Sequence, residues 1–221
     1  MRKLTEEIAL ARLQRHKAEY QTHIKTTYEH RAENCRTCPV AGSCCTDAHF
    51  VNVHITRLEA VAIRETLRRT PRLDDAARRR VYHRAREAVA KYNLRPAKDS
   101  YTQTYACPLF EPGTGCLVHR RAKPAPCIQH GCYENWEDVP PAAIQWRAEH
   151  RVEEWNDQVY GVAWAWLPTP LWLTLVDPEA DARELACLAR EWSAKARVVS
   201  PSNSAYYVRH SFQNRKLPVL R

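Results

Sequence analysis

Eight of the nine cysteines in this 221-residue chain fall into two tight groups, and no other feature restricts the fold as strongly. The first group is Cys35-x2-Cys38-x5-Cys44-Cys45 and the second is Cys107-x8-Cys116-x10-Cys127-x4-Cys132. Two residues between thiols let a chain turn so that both sulfurs face one ion, with backbone N–H groups aimed at them. One such pair is half a site, so the second group has to complete it. The 61 residues from 46 to 106 then become a helical insertion between two ligand loops. Four thiolates suit tetrahedral zinc and an iron–sulfur cluster alike, so spacing leaves the metal open. Eight supply two four-cysteine centres, or one centre with four thiols to spare. In extended chain Cys44 and Cys45 point to opposite faces, which predicts that they do not share one ion.

An odd cysteine count and a charged start without an apolar run (Met1–Leu13) argue against exported, disulfide-bonded protein and for a cytoplasmic one. The longest apolar stretch, Val159–Val176, is interrupted by Gly161, Pro168 and Pro170, so no membrane span is expected. With 44% hydrophobic and 27% charged residues the chain has a globular composition, not a disordered one. Lys and Arg number 34 against 25 Asp and Glu, a formal charge of +9. Basic runs at Arg68-Arg69 and Arg78-Arg79-Arg80 could meet nucleic acid or an acidic protein, but solvated helix faces are the preferred reading. Nucleotide-binding glycine motifs, His-Glu-x-x-His and the radical spacing C-x3-C-x2-C are absent.

Several helix starts can be read directly. Thr5 caps a helix over residues 1–33, with Leu4, Ile8, Tyr20, Ile24 and Tyr28 as its apolar stripe. Val51, Val53 and Ile55 alternate like a short strand. Thr56-x-x-Glu59 is a capping box opening a helix to about Arg69, and Asp74 caps another to about Tyr92. Pro140-Pro141 opens a further helix carrying Ile144, Ala148, Val152, Trp155 and Val159. Trp164–Val176 reads as a buried strand pair or an irregular lid. Asp177-Pro178-Glu179 reads as the start of a helix to about Ala196, followed by a short strand at 205–208. Cys187 is expected as a small buried hydrophobe, the seven tryptophans as core, and His119 and His130 as partners of sulfur or surface residues rather than ligands.

The cysteines also come with a specific set of neighbours. These are Gly42-Ser43 before Cys44-Cys45, then Val53, Ile55-Thr56 and Glu59-Ala60, then Cys107-Pro108-Leu109-Phe110, Cys116-Leu117-Val118-His119, Lys123-Pro124 before Cys127, and Cys132. In order and content, residues 35–132 resemble the CxxCxxCC (YkgJ-type) cysteine-cluster family. Five residues separate Cys38 from Cys44 where that family usually has two, and Lys123 stands where it usually has Arg. The resemblance implies zinc or iron chelation, and some relatives are called iron–sulfur oxidoreductases.

The expected architecture is helix-rich α+β: an irregular cysteine-rich metal-binding centre surrounded by helices with a few short strands. An N-terminal helix (1–34), a cysteine-cluster domain (35–132) and a helical extension packed on the same core (133–221) make up the chain. The expected function is chelation of an iron–sulfur cluster such as 4Fe–4S, or of zinc, through Cys35, Cys38, Cys44, Cys45, Cys107, Cys116, Cys127 and Cys132. The role would be structural, redox-sensing or in metal handling. Two alternatives stand beside it: an iron–sulfur oxidoreductase or protein-lysine methyltransferase, and a zinc-stapled module binding nucleic acid or an acidic partner through basic helices.

Overall fold

The computed structural model describes residues 4–35, 37–38, 40–46, 51–96, 102–119, 121–161, 166–183, 185–187 and 190. It is helix-rich, with four short strands among the described residues. Helix α1 (Glu6–Thr27) starts where Thr5 accepts a hydrogen bond from the Ile8 N–H at 3.4 Å, with Glu6 and Glu7 in the first turn. It stops short of residue 33 and passes into a 3-10 turn, Glu29–Arg31. Its buried face is Ala9, Leu13, Lys17, Tyr20 and Ile24, whereas Ile8 is 48% exposed. The expected stripe holds at Tyr20 and Ile24, with Leu4 and Tyr28 packed beside it, and departs at Ile8; the buried face also includes a lysine.

A single helical turn, α2 (Ser43–Thr46), carries Cys44 and Cys45. Strand β1 is limited to His54–Ile55 and pairs antiparallel with β4 (Leu167–Pro168), His54 opposite Pro168. Residues 51–53 bond instead to irregular chain: Val51 accepts from the Tyr105 N–H and Val53 from the Thr169 N–H, both at 3.0 Å. Helix α3 (Arg57–Arg69) begins with the expected capping box, Thr56 and Glu59 each satisfying the other's backbone N–H. Helix α4 (Asp75–Lys91) is capped by Asp74, which accepts from Ala77 at 2.6 Å.

The second cysteine group wraps a β2–β3 hairpin (Phe110–Glu111 and Gly115–Cys116) and the short helix α5 (Ala125–Gln129). Helix α6 spans Ala142–Tyr160. After β4 the chain forms helix α7 (Thr169–Leu175), neither a strand pair nor an irregular lid. Pro168 precedes this helix and Pro170 lies in its first turn, where a missing N–H removes no helical hydrogen bond. Six consecutive α7 residues, Thr169–Thr174, are buried.

The expected helix start at Asp177 is also corrected. Asp177 is buried and ion-paired with Arg86 of α4, and it accepts the Glu179 N–H at 3.0 Å in a turn. Helical backbone begins only at residue 182, after Asp181 caps the Arg183 N–H at 2.8 Å. The strand expected at 205–208 and residues 191–221 as a whole lie outside the described residues.

One large core joins α3, α4, α7 and the strands to Leu94, Tyr105, Leu109, Leu117, Val118 and Ala122. Two smaller clusters lock α1 to the rest. Tyr20, Ile24, Ala125, Ile128 and Ala148 bind it to α5 and α6, and Ala9, Leu13, Leu58 and Val152 bind it to α3 and α6. Helix α1 thus lies across elements that the cysteine loops connect. No described helix is long and apolar enough to cross a membrane.

Candidate metal centre

All nine cysteines are free thiols. The loop carrying Cys107 is anchored on its N-terminal side by Tyr105, whose buried hydroxyl donates to the Val53 carbonyl and accepts from the Thr169 N–H at 3.2 Å. On its other side Arg84 of α4 donates to the Pro108 carbonyl at 3.0 Å and pairs with Glu111 at 2.9 Å. The chain then doubles back through the hairpin, Leu117 donating to Leu109 at 3.0 Å, so Cys116 returns beside Cys107. Backbone N–H groups of Leu109 and Phe110 favour ionisation of the Cys107 thiol, and that of Val118 favours ionisation of Cys116, each against burial. Thiolate is the form of cysteine that binds metal.

Cys127 sits on α5, whose position is fixed by buried polar bonds. The Tyr20 hydroxyl donates to Gln129 at 2.7 Å, and the Gln129 amide donates to the Pro140 carbonyl at 3.0 Å. Lys17 reaches from α1, pairing with Glu59 at 2.6 Å and donating to the Lys123 carbonyl at 2.9 Å. The ammonium groups of Lys123 and Lys17 both favour ionisation of Cys127, against its burial. Burial pushes Cys127 up to about 12 and also raises Cys107 and Cys116.

The first group closes over this surface. Gly42 has φ +89° and lies against the Phe110 ring. The Cys45 carbonyl accepts the Cys107 N–H at 2.7 Å. Cys44 and Cys45 stand on a helical turn, not in extended chain, so their side chains diverge by about 100° instead of pointing to opposite faces. Cys45 hydrogen-bonds Cys44, and with His130 it holds the Cys44 thiol well below the ordinary range; the same bond and burial raise Cys45. His130 thus acts as a partner of sulfur, as expected. At the far end of the second group, the Cys132 carbonyl accepts the Glu33 N–H at 2.8 Å, and Ala32 bridges to Tyr133. Cys132 feels the charges of Cys35, Cys44 and Cys38.

The structure therefore brings all eight predicted cysteines into one region. Among the described residues, no three His, Cys, Asp or Glu side chains already stand in metal-ligand geometry: the donors are gathered but not closed on a common point. Cys187 is not part of the region and is exposed, not buried; Arg190 donates to its sulfur at 3.2 Å. Trp136 departs from the core reading at 69% exposed, whereas Trp172 is fully buried. His49 and Trp164 lie outside the described residues. Arg68, Arg69, Arg79 and Arg80 are exposed and face Glu65, Glu179 and Glu111, which makes the basic runs partly neutralised, solvated faces.

Lys17 is the residue that motif reading missed. The signal is its place at the i+4 step after Leu13 and three before Tyr20, a long cation on a buried stripe. Compared with protein-family models, curated proteins and solved structures, the chain matches none.

Proposed function

We propose that this protein chelates metal through its two cysteine groups, as an iron–sulfur cluster or as zinc. The observation that carries the reading is the meeting of the two cysteine groups, the Cys45 carbonyl accepting the Cys107 N–H at 2.7 Å and the Cys132 carbonyl accepting the Glu33 N–H at 2.8 Å. Support also comes from convergence, since thiols more than 60 positions apart in sequence share one region, with Lys17 and Lys123 set to offset thiolate charge. The resemblance of residues 35–132 to the YkgJ-type cysteine-cluster family points the same way. Metal bonds would close the loops into a finished site, coupling their order to metal binding.

Iron is favoured over zinc because eight thiols with no required histidine exceed what one zinc ion needs. Protein purified without oxygen is expected to contain iron and acid-labile sulfide and to absorb visible light. Zinc without sulfide would replace the cluster by a structural staple. Neither metal, with eight alkylatable thiols in the purified protein, would overturn the reading.

A further inference from the structure

We propose that the eight cysteines close as two four-thiol sites that cross the sequence groups: an inner site of Cys45, Cys107, Cys116 and Cys127, and an open site of Cys35, Cys38, Cys44 and Cys132 that exchanges its metal with solvent. This rests on the chelation reading and goes beyond it, because spacing says that the second group completes the first and not which thiols join.

The crossing is written in the backbone. The end of the first group is carried to the second: Cys45 accepts the Cys107 N–H at 2.7 Å, and a Cβ on Gly42 would lie 2.3 Å from the Phe110 ring. The end of the second group is carried back to the first: Glu33 donates to the Cys132 carbonyl at 2.8 Å, and a Cβ on Gly131 would lie 3.2 Å from that of Ala32. On helix α2 the adjacent thiols stand about 100° apart while still in contact with each other, so each can reach a different set of neighbours.

Exposure divides nearly the same way: Cys35, Cys44 and Cys132 are exposed, whereas Cys38 is half-buried like Cys45, Cys107, Cys116 and Cys127. Cys107 and Cys116 pack against the large core. Metal held by the exposed thiols is open to an incoming thiol, and metal held by thiols packed on the core is less so.

The test uses the full chain loaded with cadmium ion as a thiol-seeking probe. Graded EDTA is followed by brief alkylation, with labelling located at each cysteine by mass spectrometry. Two equivalents of cadmium are expected. The first to leave removes about half of the thiolate-to-cadmium absorption and exposes Cys35, Cys38, Cys44 and Cys132 at least tenfold faster than the other four. In Cys132→Ser, one equivalent remains and Cys45, Cys107, Cys116 and Cys127 stay protected. Labelling that divides by sequence group, or that reaches all eight together, overturns the two-site proposal while leaving chelation intact. A chain that takes up no cadmium overturns both.

Discussion

A Cβ at position 42 would meet the Phe110 ring at 2.3 Å on a backbone with φ +89°, so Gly42 is constrained twice. Gly42→Ala is expected to cost about 1–3 kcal/mol from backbone strain alone. Ring displacement adds to that, and metal occupancy falls because Cys44 and Cys45 hang from this turn. Gly113→Ala separates the two effects: its φ is +74°, yet nothing lies within 4 Å of the added carbon. Denaturant midpoints of both variants should show the larger loss at position 42. Glu149 supplies a second residue-scale test. Burial lifts its carboxyl to about 7; the charge of Glu59 adds to the lift, and a hydrogen bond from Gln145 opposes it. The native state thus keeps a proton that the unfolded chain releases near 4.5. The resulting stabilisation is full below that pH and is lost as pH rises through 7, on the order of 2 kcal/mol after allowing for solvent screening. Glu149→Gln should match the parent at pH 4 and exceed it at pH 8 in urea denaturation. A parent whose stability does not fall between those values would contradict the assignment.

Helices α1, α3 and α5 are coupled by one buried cation, because Lys17 bonds both Glu59 and the Lys123 carbonyl. Lys17→Met strands the Glu59 carboxylate and is expected to cost about 3–5 kcal/mol. Adding Glu59→Gln should recover a large part, since glutamine keeps the capping box and carries no charge. A double-mutant cycle in denaturant reads the coupling directly, and additive losses would show that the pair does not act as a unit. The element scale is also where sequence was most informative. Thr5, Thr56 and Asp74 all cap as expected because each bond closes over three residues and needs no distant partner. Helix α7 was illegible for the opposite reason. A proline breaks a helix interior but fits a first turn, and where the turn begins depends on the pairing of Pro168 with His54, 114 positions earlier. Asp177 looked like a cap and became a buried partner of Arg86, again through a contact that local pattern does not contain.

At the scale of the molecule, the large apolar core and the cysteine region are distinguishable. Helices α3, α4 and α7 bury one another without any cysteine from the first group, whereas no described residue within 33–46 is buried. Stripping metal is therefore expected to abolish hydrogen-exchange protection in 33–46 and weaken it in 107–132, leaving α3, α4 and α7 protected. Global loss of protection would mean that the core is not self-sufficient. That the two cysteine groups would meet was legible from spacing, since one C-x2-C pair is half a site. The way the groups cross was not, because it depends on backbone bonds between Cys45 and Cys107 and between Glu33 and Cys132, each joining segments far apart in sequence. That crossing has a consequence for synthesis. The first four thiols emerge from the ribosome before Cys107, and at about 5–20 residues per second the 61 intervening residues delay it by roughly 3–12 s. Under the two-site proposal neither set would be completed on the nascent chain until the second group appears, and the open set would wait longest, for Cys132. During that interval Cys44 and Cys45 are neighbouring bare thiols, the moment in the protein's life when an oxidant or a wrong ion finds them least defended.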